Sequence, residues 1–387
     1  MIDLSTKHLD IVRRILAEHV PASEVRAFGS RVSGDAKKHS DLDLAVVGRE
    51  RMPLRKLGEL RAAFEESTLP IRVDVLDWRG ISPEFQKVVE RKYEVLQEGV
   101  GVLEERLYDL IVEAATSIPE DVETALSAAL EREKAAGNAL AVSQLELMLD
   151  NVRLAREKRR PLCQDTGTPN FFVKLPAGLG RSKFIAAAES AVVRATGDGI
   201  LRPNSVCPLT GENTGNNLGP GNPAFHWEES PDGLLNVELL LKGGGSENVG
   251  AQYALPNPAL SAERGLDGVE KCVIDAVERA GGKGCPPSIV SVCVGGDRAG
   301  GYAAAKRNFL RRIGERSDIP ALAELETKLL EKINATGIGP MGLGGAATAL
   351  DVFATALNRL PATYYVTVSI MCWSFRRAET RFQPDEK

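Results

Sequence analysis

The chain changes its pattern of elements once, near residue 100, and that change limits what it can fold into. Before it, short apolar strands alternate with amphipathic helices. Across residues 105–160 three helical segments follow one another with no strand between them. Beyond Arg160 strands and helices mix again. A sheet interrupted by that much helix implies two cores. The expected architecture is a small α/β domain over residues 1–100, then a larger α+β domain over residues 104–387 with a helical N-terminal part. The join at Gly99–Val102 carries no flexible linker, so the chain reads as a direct fusion.

Within the small part, "HLDIVRRILAEH" has the spacing of an amphipathic helix. "EVRAFGS", "DLDLAVVG" and "IRVDVLDW" read as strands, and "RKLGELRAAFEES" as a helix. "PEFQKVVERKYEVLQEG" begins with Pro and ends with Gly, which predicts one helix over residues 83–99. In the large part "LNVELLL" and "PSIVSVCV" read as strands, "DGVEKCVIDAVERA" and "AELETKLLEKINATG" as helices. Glycine is dense at "KGGGSENVG", "CVGGDRAGG" and "GIGPMGLGGAA". The second of these follows a strand but lacks the GxGxxG spacing and its downstream acid, which excludes a dinucleotide fingerprint.

Composition narrows the function class. A 43% hydrophobic and 26% charged chain of 387 residues is globular, and a net charge of −5 argues against general nucleic-acid binding. No apolar run is long enough to cross a bilayer, and the N-terminus has no signal-peptide h-region, so no membrane association and a cytoplasmic location are expected. Six cysteines are then thiols rather than a disulfide framework.

Two constellations carry chemistry. In "FGSRVSGDAKKHSDLDLAVV", Gly29 and Ser30 close a strand. Asp41 and Asp43 open the next, on one face by the two-residue period. Asp74 in "RVDVLDW" belongs to a neighbouring strand. Three acids at one sheet end can hold Mg²⁺ with a nucleoside triphosphate. Gly29 lets the backbone approach the phosphates and Ser30 can donate to them. These residues resemble the minimal nucleotidyltransferases of the DNA polymerase β superfamily across residues 1–98. The resemblance implies a Mg²⁺-dependent module with ATP or another NTP as substrate. It also implies a HEPN-type helical partner, as in toxin–antitoxin pairs.

The second constellation is Cys163, Cys285 and Cys372, each at an element edge beside Pro, Gly or a polar group; Cys272 and Cys293 read as core, and Cys207 is open to either reading. Three thiolates suit an iron–sulfur cluster with one open iron, although such long spacings do not by themselves establish it. "CQDTG", "KGGGSEN", "CPP" and "CWSFRR", in that order, resemble the iron–sulfur hydro-lyases, class I fumarases and L-tartrate dehydratases, over residues 105–383. The resemblance implies a [4Fe–4S] cluster on Cys163, Cys285 and Cys372. Substrate would be bound by Gln164, Asp165, Arg202 and Gly245. The implied activity is that of an α subunit hydrating a C4 dicarboxylate, fumarate/malate first, with L-tartrate dehydration as the alternative. A β subunit would supply the base and further arginines. Leu360 and Phe375 stand where this family commonly has histidines. A further alternative is an antitoxin-type AMP-transferring enzyme whose hydro-lyase tail is inactive or sensory.

Overall fold

The computed structural model describes residues 2–37, 40–48, 51–97, 99 and 101–383. The chain divides into two compact units, Met1–Leu107 with Leu175–Ala191, and Tyr108–Lys174 with Val192–Gln383. The join read from the sequence at Gly99–Val102 includes Val100, which lies outside the described residues.

The first unit runs α1 (Thr6–His19), β1 (Glu24–Phe28), α2 (Ser30–Ser33), β2 (Leu42–Val47), α3 (Leu54–Glu65), β3 (Val73–Asp77), α4 (Pro83–Arg91) and β4 (Glu94–Gln97). The strands order as β3-β2-β1-β4. β2 is parallel to β3, and β1 is antiparallel to both β2 and β4. Val12 and Leu16 of α1, Leu60 and Phe64 of α3 and Leu42 and Leu44 of β2 form its core. The single helix expected over residues 83–99 is corrected. Ser82 caps α4, accepting from the Phe85 N–H at 3.3 Å, and the helix stops at Arg91. Glu94–Gln97 then pairs with β1 as an edge strand. Tertiary pairing decided this: Tyr93 and Val95 are strand formers, and β1 had an open edge beside them.

The remaining elements are α5 (Gly101–Thr116), α6 (Glu120–Ala136), α7 (Ala139–Lys158), β5 (Thr168–Leu175), α8 (Arg181–Gly197), β6 (Ala224–Glu229), β7 (Leu235–Lys242), α9 (Gly244–Asn248), β8 (Ala251–Ala254), α10 (Leu266–Ala280), β9 (Ser288–Gly295), α11 (Arg298–Arg307), α12 (Pro320–Ala335), β10 (Ala349–Leu357), β11 (Tyr365–Met371) and β12 (Arg377–Phe382). Among the described residues the second unit holds two four-stranded sheets, β10-β9-β11-β8 and β12-β7-β5-β6. In the first of these β9 runs parallel to β10 and antiparallel to β11. Every residue of β9 is buried, as suits a mostly apolar strand covered on both faces; Ser291 within it donates its hydroxyl to the Ala305 carbonyl at 2.6 Å. One face packs Val290, Val292, Val352 and Val368 against Val273 of α10 and Leu329 of α12. Ile289, Phe353 and Met371 face the other way, toward Leu126 of α6 and Leu145 and Val152 of α7. α6 starts on three acids, Glu120, Asp121 and Glu123, which suit the positive end of its dipole. No described helix is long and apolar enough to cross a membrane.

Phe353 is fully buried in the layer between α6/α7 and the sheet. Phe353→Ala should destabilise the protein by about 3–5 kcal/mol, the usual cost of a truncated core phenylalanine. Leu209→Ala, at a side chain 92% exposed, should change it by less than about 0.5 kcal/mol. Urea unfolding followed by circular dichroism checks both.

Candidate functional sites

In the first unit the turn after β1 brings Gly29 against Asp43. Gly29 has φ 76, and a Cβ there would stand 2.2 Å from Asp43 Oδ2, so only glycine fits. Asp43 lies in register with Phe28 on one side and Asp74 on the other. Partial burial, then Asp74, then Asp41 push the Asp43 carboxyl above its usual range. The three acids therefore share one region, at an electrostatic cost that a divalent cation relieves. Asp74 also pairs with Arg72 at 3.0 Å. Ser30 begins α2, directly after Gly29. A cleft of about 490 Å³ opens beside them, lined in part by Phe28, Asp43, Arg61, Arg72 and Asp74.

In the second unit Cys163 lies in the loop between α7 and β5, Cys285 at the turn after α10, and Cys372 directly after β11. All three are half-buried. Burial raises the Cys285 thiol, and Cys372, Cys163 and Asp165, in that order, raise it further. These four groups thus crowd one place. Hydrogen bonds hold the segments together. The Trp373 N–H donates to the Cys285 carbonyl at 3.1 Å. Arg376 Nη1 donates to the Asp165 carbonyl at 2.6 Å. Ser374 Oγ lies 3.2 Å from Cys372 Sγ. Cys285 has φ 51, a left-handed conformation that is costly for a residue with a side chain. The loop 337–347 backs this turn: the Met341 N–H donates to the Pro286 carbonyl at 2.8 Å. That loop is fastened to α6 by Glu133, which is fully buried and accepts from the Ala347 N–H at 2.7 Å.

Gln164 is exposed and Asp165 half-buried beside Cys163. The segment carrying Arg202 is pinned by its backbone. The Arg202 N–H and Asn204 Nδ2 both donate to Thr166 Oγ1 at 3.1 Å, and the Asn204 N–H donates to Asn217 Oδ1 at 2.7 Å. The Arg202 side chain is left exposed. "KGGGSEN" runs from the last residue of β7 through the short helix α9, and its tightest glycine is Gly243, not Gly245. A Cβ at Gly243 would stand 2.8 Å from Asp165 Oδ2, whereas one at Gly245 would have only Lys283 O, at 3.7 Å, near it.

Two buried cations were not legible in the motifs. Lys242 closes β7, and its ammonium donates to the Ile370 carbonyl at 2.6 Å and pairs with Glu247 at 3.2 Å. Burial pulls Lys242 below the ordinary lysine value, with Glu247 opposing. For Glu247 burial acts upward, but Lys242 and Lys306 outweigh it and hold the carboxyl below its usual range. Arg376 is 1% exposed and its Nε has no partner. The signal that could have found both is position: each is a charged residue inside an apolar strand-end motif.

Leu360 and Phe375 are placed differently from what the histidine comparison suggests. Leu360 lies in the loop between β10 and β11, where Leu357 pairs with Gly295; Cys285 and Cys372 lie beyond Ser288 and Met371 at the other end of the same sheet. The eight residues of β9 separate those ends by more than about 20 Å, so Leu360 does not reach its own chain's thiols. Phe375 is fully buried, edge-on to Phe309, and serves the core. His226 stacks on Phe172 at 4.3 Å. Burial, then Lys306 and Arg307, lower its pKa, so it sits neutral in the wall of the second unit.

Among the described residues no set of three His, Cys, Asp or Glu side chains closes around one metal ion. Neither constellation requires it. Mg²⁺ is held through one or two carboxylates together with water and phosphates, and thiolates of one cluster each bind a different iron.

The sequence model of the fumarate hydratase (Fumerase) family matches residues 104–381, most of the chain. The chain belongs to the fumarate hydratase family. The model for polymerase beta nucleotidyltransferases matches residues 12–99, which marks an N-terminal nucleotidyltransferase domain. A Geobacillus stearothermophilus protein described as a class I fumarate hydratase is 42% identical over 73% of this chain and 55% of its own length. The chain thus spans about half of that relative. A Methanocaldococcus jannaschii protein described as an L(+)-tartrate dehydratase subunit alpha is 39% identical over 72% of this chain and 97% of its own length. The L(+)-tartrate dehydratase subunit alpha of Escherichia coli K12 is 33% identical over 73% of this chain and 91% of its own. A solved toxin–antitoxin structure with AMP-PNP is 25% identical over 24% of this chain and 73% of that one, with a TM-score of 0.22.

The other three thiols differ sharply in environment. Burial raises Cys272 to about 11, helped by Asp275, and burial alone raises Cys293 to about 11. Hydrogen bonds from Thr210 and Leu209 lower Cys207. Cys207 should therefore alkylate faster than either in native protein at neutral pH, while Cys272 and Cys293 stay unlabelled until pH approaches their values. Iodoacetamide labelling mapped by mass spectrometry at several pH values checks the order.

Proposed function

We propose that the chain is the α subunit of an iron–sulfur hydro-lyase that reversibly hydrates a C4 dicarboxylate, fumarate/malate first and L-tartrate as the alternative substrate. The observation that carries this reading is the convergence of Cys163, Cys285, Cys372 and Asp165 in a chain of the fumarate hydratase family. The donor set fits a cluster: three half-buried thiols on segments that hydrogen bonds tie together, of the soft ligand type that iron–sulfur clusters take. When bound, the [4Fe–4S] cluster supplies a Lewis-acidic iron for substrate oxygen.

The chain's own residues do the rest. Gln164, next to the first thiol, offers an amide donor and acceptor to substrate. Asp165 presents a carboxylate at the same place, braced by Arg376 through its carbonyl. Arg202, on a backbone pinned to Thr166, has the planar fork that pairs with a substrate carboxylate. Gly245, in the first turn of α9, is assigned to substrate because it adds no side chain there. Dehydration also needs a base to take the proton from the carbon beside a carboxylate. We assign that base to a β subunit, in keeping with relatives named as α subunits. Reconstituted anaerobically with iron and sulfide, the chain should bind about four irons. It should hydrate fumarate only when a β subunit is added. Iron content unchanged in the Cys163→Ala, Cys285→Ala, Cys372→Ala triple variant would sink the reading.

A second activity is carried by the Gly29–Asp43–Asp74 arrangement and the matching family model: Mg²⁺-dependent nucleotidyl transfer from ATP or another NTP, with Asp41, Asp43 and Asp74 holding the metal and Gly29 and Ser30 facing the phosphates. A HEPN-type protein is the expected target. Radiolabel from ATP should appear on the target only with Mg²⁺, and Asp43→Ala should remove it at least about a hundredfold. Labelling that survives Asp41→Ala and Asp43→Ala together would refute the assignment.

A further inference from the structure

The buried charges around Cys372 do not balance. Lys242 is 3% exposed and Arg376 1% exposed. Lys242 shares Glu247, its one carboxylate partner among the described residues, with Lys306, which pairs with the other oxygen at 3.0 Å. Glu247 is itself half-exposed. Arg376 forms no ion pair among the described residues. It gives one N–H to the Asp165 carbonyl, leaves Nε without a partner, and directs Nη2 toward the edge where Gly243 meets the Asp165 carboxylate. Three cations (Lys242, Lys306, Arg376) thus face two carboxylates (Glu247, Asp165), a surplus of one positive charge, and two of the cations, Lys242 and Arg376, are the buried members of the set. A buried cation left without an anion is strongly unfavourable, and natural proteins keep one only opposite a counter-charge. Both cations are also tied to the thiol segments: Lys242 to Ile370, two residues before Cys372, and Arg376 to Asp165, two residues after Cys163.

We infer that Lys242 and Arg376 are the built-in counter-charges of the iron–sulfur site, positioning residues that set the reduction potential of the cluster and its hold on iron. This rests on the cluster reading above. A [4Fe–4S]²⁺ core with three thiolates carries −1, which meets the surplus of +1. One-electron reduction takes the cluster to −2, and the same cations favour that added electron. Glu247 is the opposing element, since it neutralises half of the lysine pair.

The test is an anaerobic redox titration of the reconstituted full-length chain, following the reduced cluster by EPR, with iron release to a chelator timed in parallel. At the potential where the wild-type cluster is half reduced, Lys242→Met should lower the reduced-to-oxidised ratio by roughly tenfold, a shift of about 59 mV for one electron. Iron should leave several times faster. Arg376→Met should act in the same direction, and Arg376→Lys, which keeps the charge, should stay close to wild type. Glu247→Gln should raise the ratio instead. Because Glu247 is half-exposed, that variant keeps the test open even if a buried substitution prevents folding. Clusters of wild-type potential in Lys242→Met, Arg376→Met and Glu247→Gln would overturn the inference and leave the cluster reading standing. A wild-type chain that takes up no cluster would overturn both.

Discussion

The pairing of Met371 with Ile289 governs the second unit. Antiparallel pairing of β11 with β9 fixes where β11 ends, and Cys372 is the next residue. The same register sets Cys285 just upstream of β9, so two thiols separated by most of a hundred residues of sequence meet at one sheet end. A slip by one residue would turn every side chain of β11 over and carry Cys372 away with it. The burial of β9 and β11 on both faces is what makes such a slip costly. Cys163 is then drawn in by hydrogen bonds from the same turn, chiefly the Arg376 guanidinium on the Asp165 carbonyl.

The two candidate sites use opposite electrostatics. In the first unit, carboxylates crowd one another beside a glycine, and Asp43 is held above its usual range until a cation arrives. In the second, buried cations outnumber carboxylates beside three thiols. Each arrangement is unfavourable alone and is relieved by a ligand of the opposite sign, which is how a fold keeps a site ready without filling it with its own side chains.

Much of this was readable in the sequence, for physical reasons that can be named. Strand period two put Asp41 and Asp43 on one face, with Asp74 expected on the neighbouring strand, and motif order pointed to the three cysteines. The helical run α5–α7 was visible because three helical patterns follow one another with no strand between them, and α6 opens after Pro119 on acids. What was not readable depended on partners. Residues 94–97 became a strand because β1 had an edge to offer, which no local pattern reports. Lys242 and Arg376 stand in suggestive positions, but only burial separates them from ordinary charges. Leu360 is the instructive case. Counting residues back from Cys372 puts it near the thiols in sequence, but one strand of that length carries it to the far end of the sheet.

The fastening of loop 337–347 gives the helical hairpin an unexpected office. α6 reaches that loop through Glu133, the loop reaches Pro286 through Met341, and Pro286 follows Cys285. The helices that cover the sheet therefore also act as a bracket for one thiol. Loosening of α6, by heat or by a substitution far from any chemistry, is transmitted to a single corner of the triangle. Such damage would register as a cysteine out of place long before it registered as lost helix.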